Sequence, residues 1–110
     1  MEIKETEKYC IITPLSPVMD LRQSSRIGSE IEIRPYSNIG LDMSFVKDCT
    51  IEFIEKIKSF KNLSLFNIPS DIFVMLNCMN LDKKLNLYVS EIDFEEKKHR
   101  LLNRNFCIVK

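Results

Sequence analysis

The sequence predicts an α/β domain whose sheet is mixed and mostly parallel, on three observations. Short apolar runs of strand character alternate along the chain with segments whose apolar residues recur at helical spacing, an order that implies crossover connections. The 110 residues are the size of one domain and can bury roughly two-thirds of their unfolded surface around one core. Prolines and Ser, Asp and Asn residues punctuate the segments, and with only two glycines no flexible linker divides the chain. A single domain spanning residues 1–110 is therefore expected.

Each element follows from local chemistry. Glu2-Ile3-Lys4 and Tyr9-Cys10-Ile11-Ile12, separated by polar residues, form a hairpin. In Thr13-Pro14-Leu15-Ser16-Pro17, Ser16 suits a helix cap and Pro17 the first helical position. Val18, Leu21, Ile27 and Ile31 continue that helix, although Glu30-Ile31-Glu32-Ile33 alternates and also reads as extended. Ile39 to Met43 is a short strand, and Asp48-Cys49-Thr50 turns into a helix capped by Asp48 with Ile51, Phe53, Ile54, Ile57 and Phe60 on its buried face. Asn62 to Phe66 is a strand, and Pro69-Ser70-Asp71 opens an apolar helix from Ile72 to Met79. Asn80 tolerates the left-handed residue that stops a helix, with Leu81 folding back. After an extended Leu85 to Val89, Ser90-Glu91-Ile92-Asp93 resembles a capping box and opens a last helix to about Leu102, with Phe106 to Val109 extended beyond it. The order is ββαβαβαβα with room for one extra strand, the hairpin supplying the antiparallel edge.

Charge excludes several functions. Sixteen Lys and Arg balance sixteen Asp and Glu, so nothing is built to neutralise a phosphate backbone, and no nucleic-acid partner is expected. No run of apolar residues is long enough to span a bilayer and the first residues are not a secretory signal, which predicts a cytoplasmic protein without direct membrane insertion. Cys10, Cys49, Cys78 and Cys107 include no C-x-x-C pair and should be reduced thiols. With His99 the only histidine, no metal site is expected, and His99 itself reads as solvent-facing with Glu95 one helical turn before it. Phosphate loops and nucleophile elbows are missing, so neither a cofactor nor an enzymatic activity is expected. Met43, Met75 and Met79 read as core packing.

Taken with that order of elements, particular residues resemble the STAS domain, the fold of bacterial anti-anti-sigma factors (anti-sigma factor antagonists). Met1 to Lys4 with Tyr9 to Thr13 is similar to the family's opening hairpin, and Ile39 to Ser44 to its central strand. Phe45-Val46-Lys47-Asp48-Cys49-Thr50 matches its strand-to-helix turn, where Asp-Ser-Ser-Gly is usual. Leu65-Phe66-Asn67-Ile68-Pro69 and the helix ending Met79-Asn80-Leu81-Asp82 are similar to its third strand and following helix.

The resemblance implies a non-catalytic, cytoplasmic protein-binding module of bacterial signalling and transcription regulation, with a protein partner such as a kinase-like anti-sigma factor. It further implies a phosphorylated serine at the position that Cys49 fills here. A thiol does not replace that acceptor, which leaves Thr50 as the substitute hydroxyl and predicts a module without the usual serine switch. Ile51 stands where the family has glycine, and Pro14 to Pro17 replaces its Gly-x-x-Asp turn. Turns after the carboxyl ends of parallel strands line one edge, so Ser16 and Pro17 are expected beside Asp48, Cys49 and Thr50 as one partner-binding patch. Two alternatives are a STAS-type accessory subunit of a lipid or solute transport ATPase and a small redox protein using a Cys49 thiolate at a helix N-terminus.

Overall fold

The computed structural model describes residues 1–81 and 84–96. Strands β1 (Glu2–Glu5), β2 (Cys10–Thr13), β4 (Ile39–Asp42), β6 (Leu63–Phe66) and β7 (Asn86–Leu87) form one sheet, with β3 (Val18–Met19) and β5 (Asp48–Cys49) set apart as a parallel pair. Between them lie α1 (Leu21–Glu32), α2 (Ile51–Ile57), α3 (Ser70–Cys78) and α4, described over Glu91–Glu96. The main sheet runs β1-β2-β4-β6-β7, with β1 antiparallel to β2 and the remaining neighbours parallel.

Each β-α-β unit steps one strand in the same direction across the sheet. Right-handed crossovers therefore place α1, α2 and α3 on one face. The row Ile3, Ile12, Leu41, Leu65 and Leu87, paired strand to strand, points to that face. It packs with Ile27 of α1, Phe53, Ile54 and Ile57 of α2, and Ile72, Phe73 and Leu76 of α3 in one buried cluster. The alternate row, Lys4, Ile11, Gly40, Ser64 and Asn86, points to the opposite face. There a second cluster gathers Ile11, Phe66, Tyr88 and Phe94, with Tyr9 against it. All four residues of β6 are buried because both faces of that strand are covered.

Helix ends follow the chemistry of their neighbours. Asn80 adopts φ 57°, and the Leu81 amide donates to Leu76 at 2.9 Å, closing α3 as the sequence predicts. The Asp93 amide reaches the Ser90 hydroxyl, which in turn donates to the Asp93 carboxylate, so Ser90 opens α4 as expected. Two expected helix starts are displaced. Val18-Met19 joins a strand ladder instead of a helix, and α1 begins after Asp20, whose carboxylate accepts from the Gln23 amide at 3.1 Å. Asp48 also lies in a strand, and Thr50 caps α2 by accepting from the Phe53 amide at 3.2 Å. Glu30-Ile31-Glu32 is helical rather than extended, its alternation outweighed by burial of Ser24, Ile27 and Gly28 along one helical stripe. The expected continuation of the last helix to Leu102, with His99, and the extended segment from Phe106 to Val109 lie outside the described residues. Among the described residues no helix is long and apolar enough to cross a membrane.

Candidate functional site

Two strand-to-helix passages run side by side at the end of the sheet where the parallel strands finish. Val18 pairs with Asp48 and Met19 with Cys49, in parallel. The Lys47 and Asp48 amides donate to the Pro17 carbonyl at 2.7 and 3.1 Å, and the Thr50 amide to the Met19 carbonyl at 2.9 Å. Directly beyond the ladder stand the caps Asp20 and Thr50, and directly beyond these the first helical residues Leu21 and Ile51. The two passages thus keep register through strand, cap and first turn.

The ladder directs the amide and carbonyl of Val18 away from β5 and those of Cys49 away from β3. Local side chains cover one group on each of these outer edges. The Ser16 hydroxyl donates to the Val18 carbonyl at 3.1 Å, and the Asp48 carboxylate accepts from the Cys49 amide at 2.8 Å. Both residues expected to cap helices therefore blunt strand edges, an arrangement that discourages the addition of a further strand.

The sequence-derived patch is brought together, but its members present different things. Ser16, Pro17, Asp48 and Thr50 lie along the ladder, with Pro17 and Asp48 exposed and Ser16 and Thr50 half-buried. Cys49 turns inward with Met19 and retains 7% exposure. Burial first, and the adjacent Asp48 carboxylate second, push its thiol up to about 11. At neutral pH it is a protonated core thiol, without the lowered pKa that thiolate redox chemistry needs. Cys10 is buried and also shifted upward by its burial, whereas Cys78 is exposed. Among the described residues no three metal-ligating side chains come together.

Around the ladder lies a band of apolar side chains. Leu15, Val18, Leu21, Phe45 and Ile51 are each 49% to 57% exposed, in a chain whose other large apolar residues are mostly buried. The sequence places Ile51 on the buried face of its helix, and Val18 and Leu21 among the apolar positions of the first helix. Instead Val18 turns outward on the ladder, Ile51 stands off the Phe53, Ile54 and Ile57 stripe, and Leu21, although it shares a helix face with Ser24 and Gly28, is left exposed in the first turn. For Ile51 the signal that could have found it is its phase, out of step with the buried stripe of its own helix. Phe45 also borders a cleft on the second sheet face, with Ile11, Thr13, Asp42 and Glu91 among its walls. The Lys4 ammonium meets Glu91 at 3.1 Å on the same cleft, and that hydrogen bond raises the Lys4 pKa. The Asp42 carboxylate accepts from the Ser44 amide and from the Asn67 side chain at 3.0 and 3.1 Å, tying the ends of β4 and β6 together. Comparison with models of known protein families and with curated proteins finds no match for this chain.

Proposed function

We propose that the chain is a non-catalytic protein-binding module with a STAS-like fold, and that it binds through the face around the β3–β5 ladder. The observation that carries this reading is the band of half-exposed Leu15, Val18, Leu21, Phe45 and Ile51 beside that ladder. Five of the nine exposed large apolar side chains among the described residues belong to these two passages, the others being Ile33, Val74, Val89 and Ile92. Such a grouping fits protein recognition better than solvation. The hairpin-led, mostly parallel sheet with a helix after each central strand supports the family resemblance. A kinase-like anti-sigma factor is the partner that resemblance proposes.

Binding in this reading is constitutive. Cys49 occupies the acceptor position with a buried thiol, and the Thr50 hydroxyl is engaged as a helix cap. Affinity capture with the wild-type chain, followed by identification of the bound protein, tests the surface. Leu21→Asp and Ile51→Asp each place an acid in a helix first turn, where the dipole favours it, so the fold is spared. Each should weaken partner binding about tenfold or more, roughly 1.4 kcal/mol. Ile33→Asp, at the far end of α1 and roughly 18 Å from Leu21 by helical rise, should leave binding unchanged. Loss of binding in the Ile33 variant alone would place the surface elsewhere.

A further inference from the structure

We propose that the outer edge of β1 takes a further strand, and that this strand is the chain's own Phe106-Cys107-Ile108-Val109, lying antiparallel to β1. The inference goes beyond the partner-binding reading and does not depend on it. Hydrogen-bond parity in the hairpin leaves the edge open. The Cys10 amide donates to the Asn38 carbonyl at 3.1 Å, so Cys10 and Ile12 turn their backbone groups towards β4, while Ile11 and Thr13 turn theirs towards β1. Lys4 and Glu2 pair with those two residues, and the amides and carbonyls of Ile3 and Glu5 therefore point outward. Among the described residues no strand pairs with them.

The course of α4 brings the chain to this edge. Glu91 meets Lys4, which lies opposite Ile11, whereas Phe94 meets Tyr9, two residues before Ile11. Helix α4 thus runs down the second face against the direction of β2, towards the hairpin turn. A chain that leaves it there and turns back runs parallel to β7 and antiparallel to β1. Handedness selects the same edge. With α1, α2 and α3 on the first face the chain steps from β2 to β7, so a right-handed crossover through α4 on the second face steps back towards β1. One that reached the free edge of β7 would be left-handed. Residues 97–105, between the described end of α4 and Phe106, span up to roughly 30 Å when extended.

Charge fits the same pairing. The neutral total divides unevenly, because residues 1–96 hold all sixteen Asp and Glu with eleven Lys and Arg, and residues 97–110 hold the other five Lys and Arg. Two of these, Arg104 and Lys110, bracket the apolar run. Strand β1 carries exposed Glu2 and Glu5 at its ends, and antiparallel pairing brings Lys110 towards Glu2 and Arg104 towards Glu5. Glu2 forms no ion pair among the described residues, and Glu5 meets Arg34 only at 3.5 Å. An open edge facing an apolar run of opposite charge is a template for strand addition.

Amide hydrogen exchange of the full chain, followed residue by residue by nuclear magnetic resonance at two protein concentrations, reads the edge directly and needs no partner. The Ile3 and Glu5 amides should be equally protected at both concentrations, with nuclear Overhauser contacts between β1 and residues 106–109. Cys107→Pro and Ile108→Pro each remove one amide, and in either register one of the two faces β1. At least one variant should therefore speed exchange at Ile3 and Glu5 about tenfold or more, while Ile12, Leu41 and Leu65 keep their protection and report an intact fold. Ile3 and Glu5 amides that exchange like those of a free peptide overturn the inference. So does protection that both proline variants leave in place, that appears only at the higher concentration, as pairing between copies would give, or that comes with contacts from 106–109 to β7.

Discussion

At position 49 the backbone alternation of a two-residue strand decides the chemistry. Asp48 points to solvent, so Cys49 points beneath the ladder, where burial pushes the thiol from its ordinary 9.0 up to about 11. Between those values the unfolded chain gives up the proton while the folded chain keeps it. Stability is therefore fully present below pH 9.0 and falls as the pH rises towards about 11. The loss attributable to this thiol should be on the order of 2 kcal/mol. Tyr9, Tyr36 and Cys10 are shifted in the same direction by burial, so the comparison to make is with Cys49→Val, which keeps the apolar volume and those groups. Urea unfolding at neutral and alkaline pH should give a shallower alkaline decline for the variant; parallel declines would mean that the thiol is not buried as described. Thr50 offers a second check at this scale. Thr50→Ala should cost about 1 kcal/mol by leaving the Phe53 amide without its acceptor, whereas Thr50→Asp should retain the cap and near-parental stability. Equal losses in the two variants would argue against the cap.

Among the elements, those fixed by local chemistry could be read from the sequence and those fixed by distant pairing could not. The hairpin, the strands around Leu41 and Leu65, and the helix closed by Asn80 each carry their own apolar pattern and punctuation. Val18-Met19 carries none: two residues become a strand only because Asp48-Cys49, far along the chain, supplies the opposing carbonyls and amides. That pairing moves the start of α1 from Pro17 to Leu21 and hands the capping role from Ser16 to Asp20. The docking of α4 was equally hidden, because it depends on a missing side chain. Gly40 lies on the second sheet face, where a Cβ would come within 2.8 Å of the Phe94 ring and 2.9 Å of the Phe66 ring. Those rings stack with centroids 5.4 Å apart and leave no slack. Gly40→Ala should therefore destabilise the fold by about 1 to 3 kcal/mol through overpacking. Adding Phe94→Leu to that variant should cost less than Phe94→Leu costs in the parent, a coupling that a double-mutant cycle measures. Strict additivity would show that α4 does not press on this glycine.

The whole molecule is an unequally covered sheet. Three helices clad the first face, because every parallel crossover steps the same way, and their apolar stripes merge with the Ile3-to-Leu87 row into one extensive cluster. On the second face, among the described residues, the buried cluster is smaller and centres on Phe94 of α4. Phe94 stacks on Phe66 and meets Tyr9 and Tyr88 edge-on at 5.7 and 6.1 Å, so one side chain joins α4 to strand β6, to the end of β7 and to the residue leading into β2. The Lys4–Glu91 pair adds little to this attachment, because both groups are well exposed to water. The two faces should consequently fail in different ways. Phe94→Ala removes the ring that fills the second cluster and should cost on the order of 3 kcal/mol or more. Its folded state should keep the far-ultraviolet signal of α1, α2 and α3 while binding a hydrophobic dye through newly exposed Ile11, Phe66 and Tyr88. Phe53→Ala, in the larger cluster, should lower the melting temperature without that dye response below the transition, because the cavity it leaves is enclosed by three helices and the sheet. Dye binding by the Phe53 variant and none by the Phe94 variant would reverse this assignment and show the second face to be the better protected.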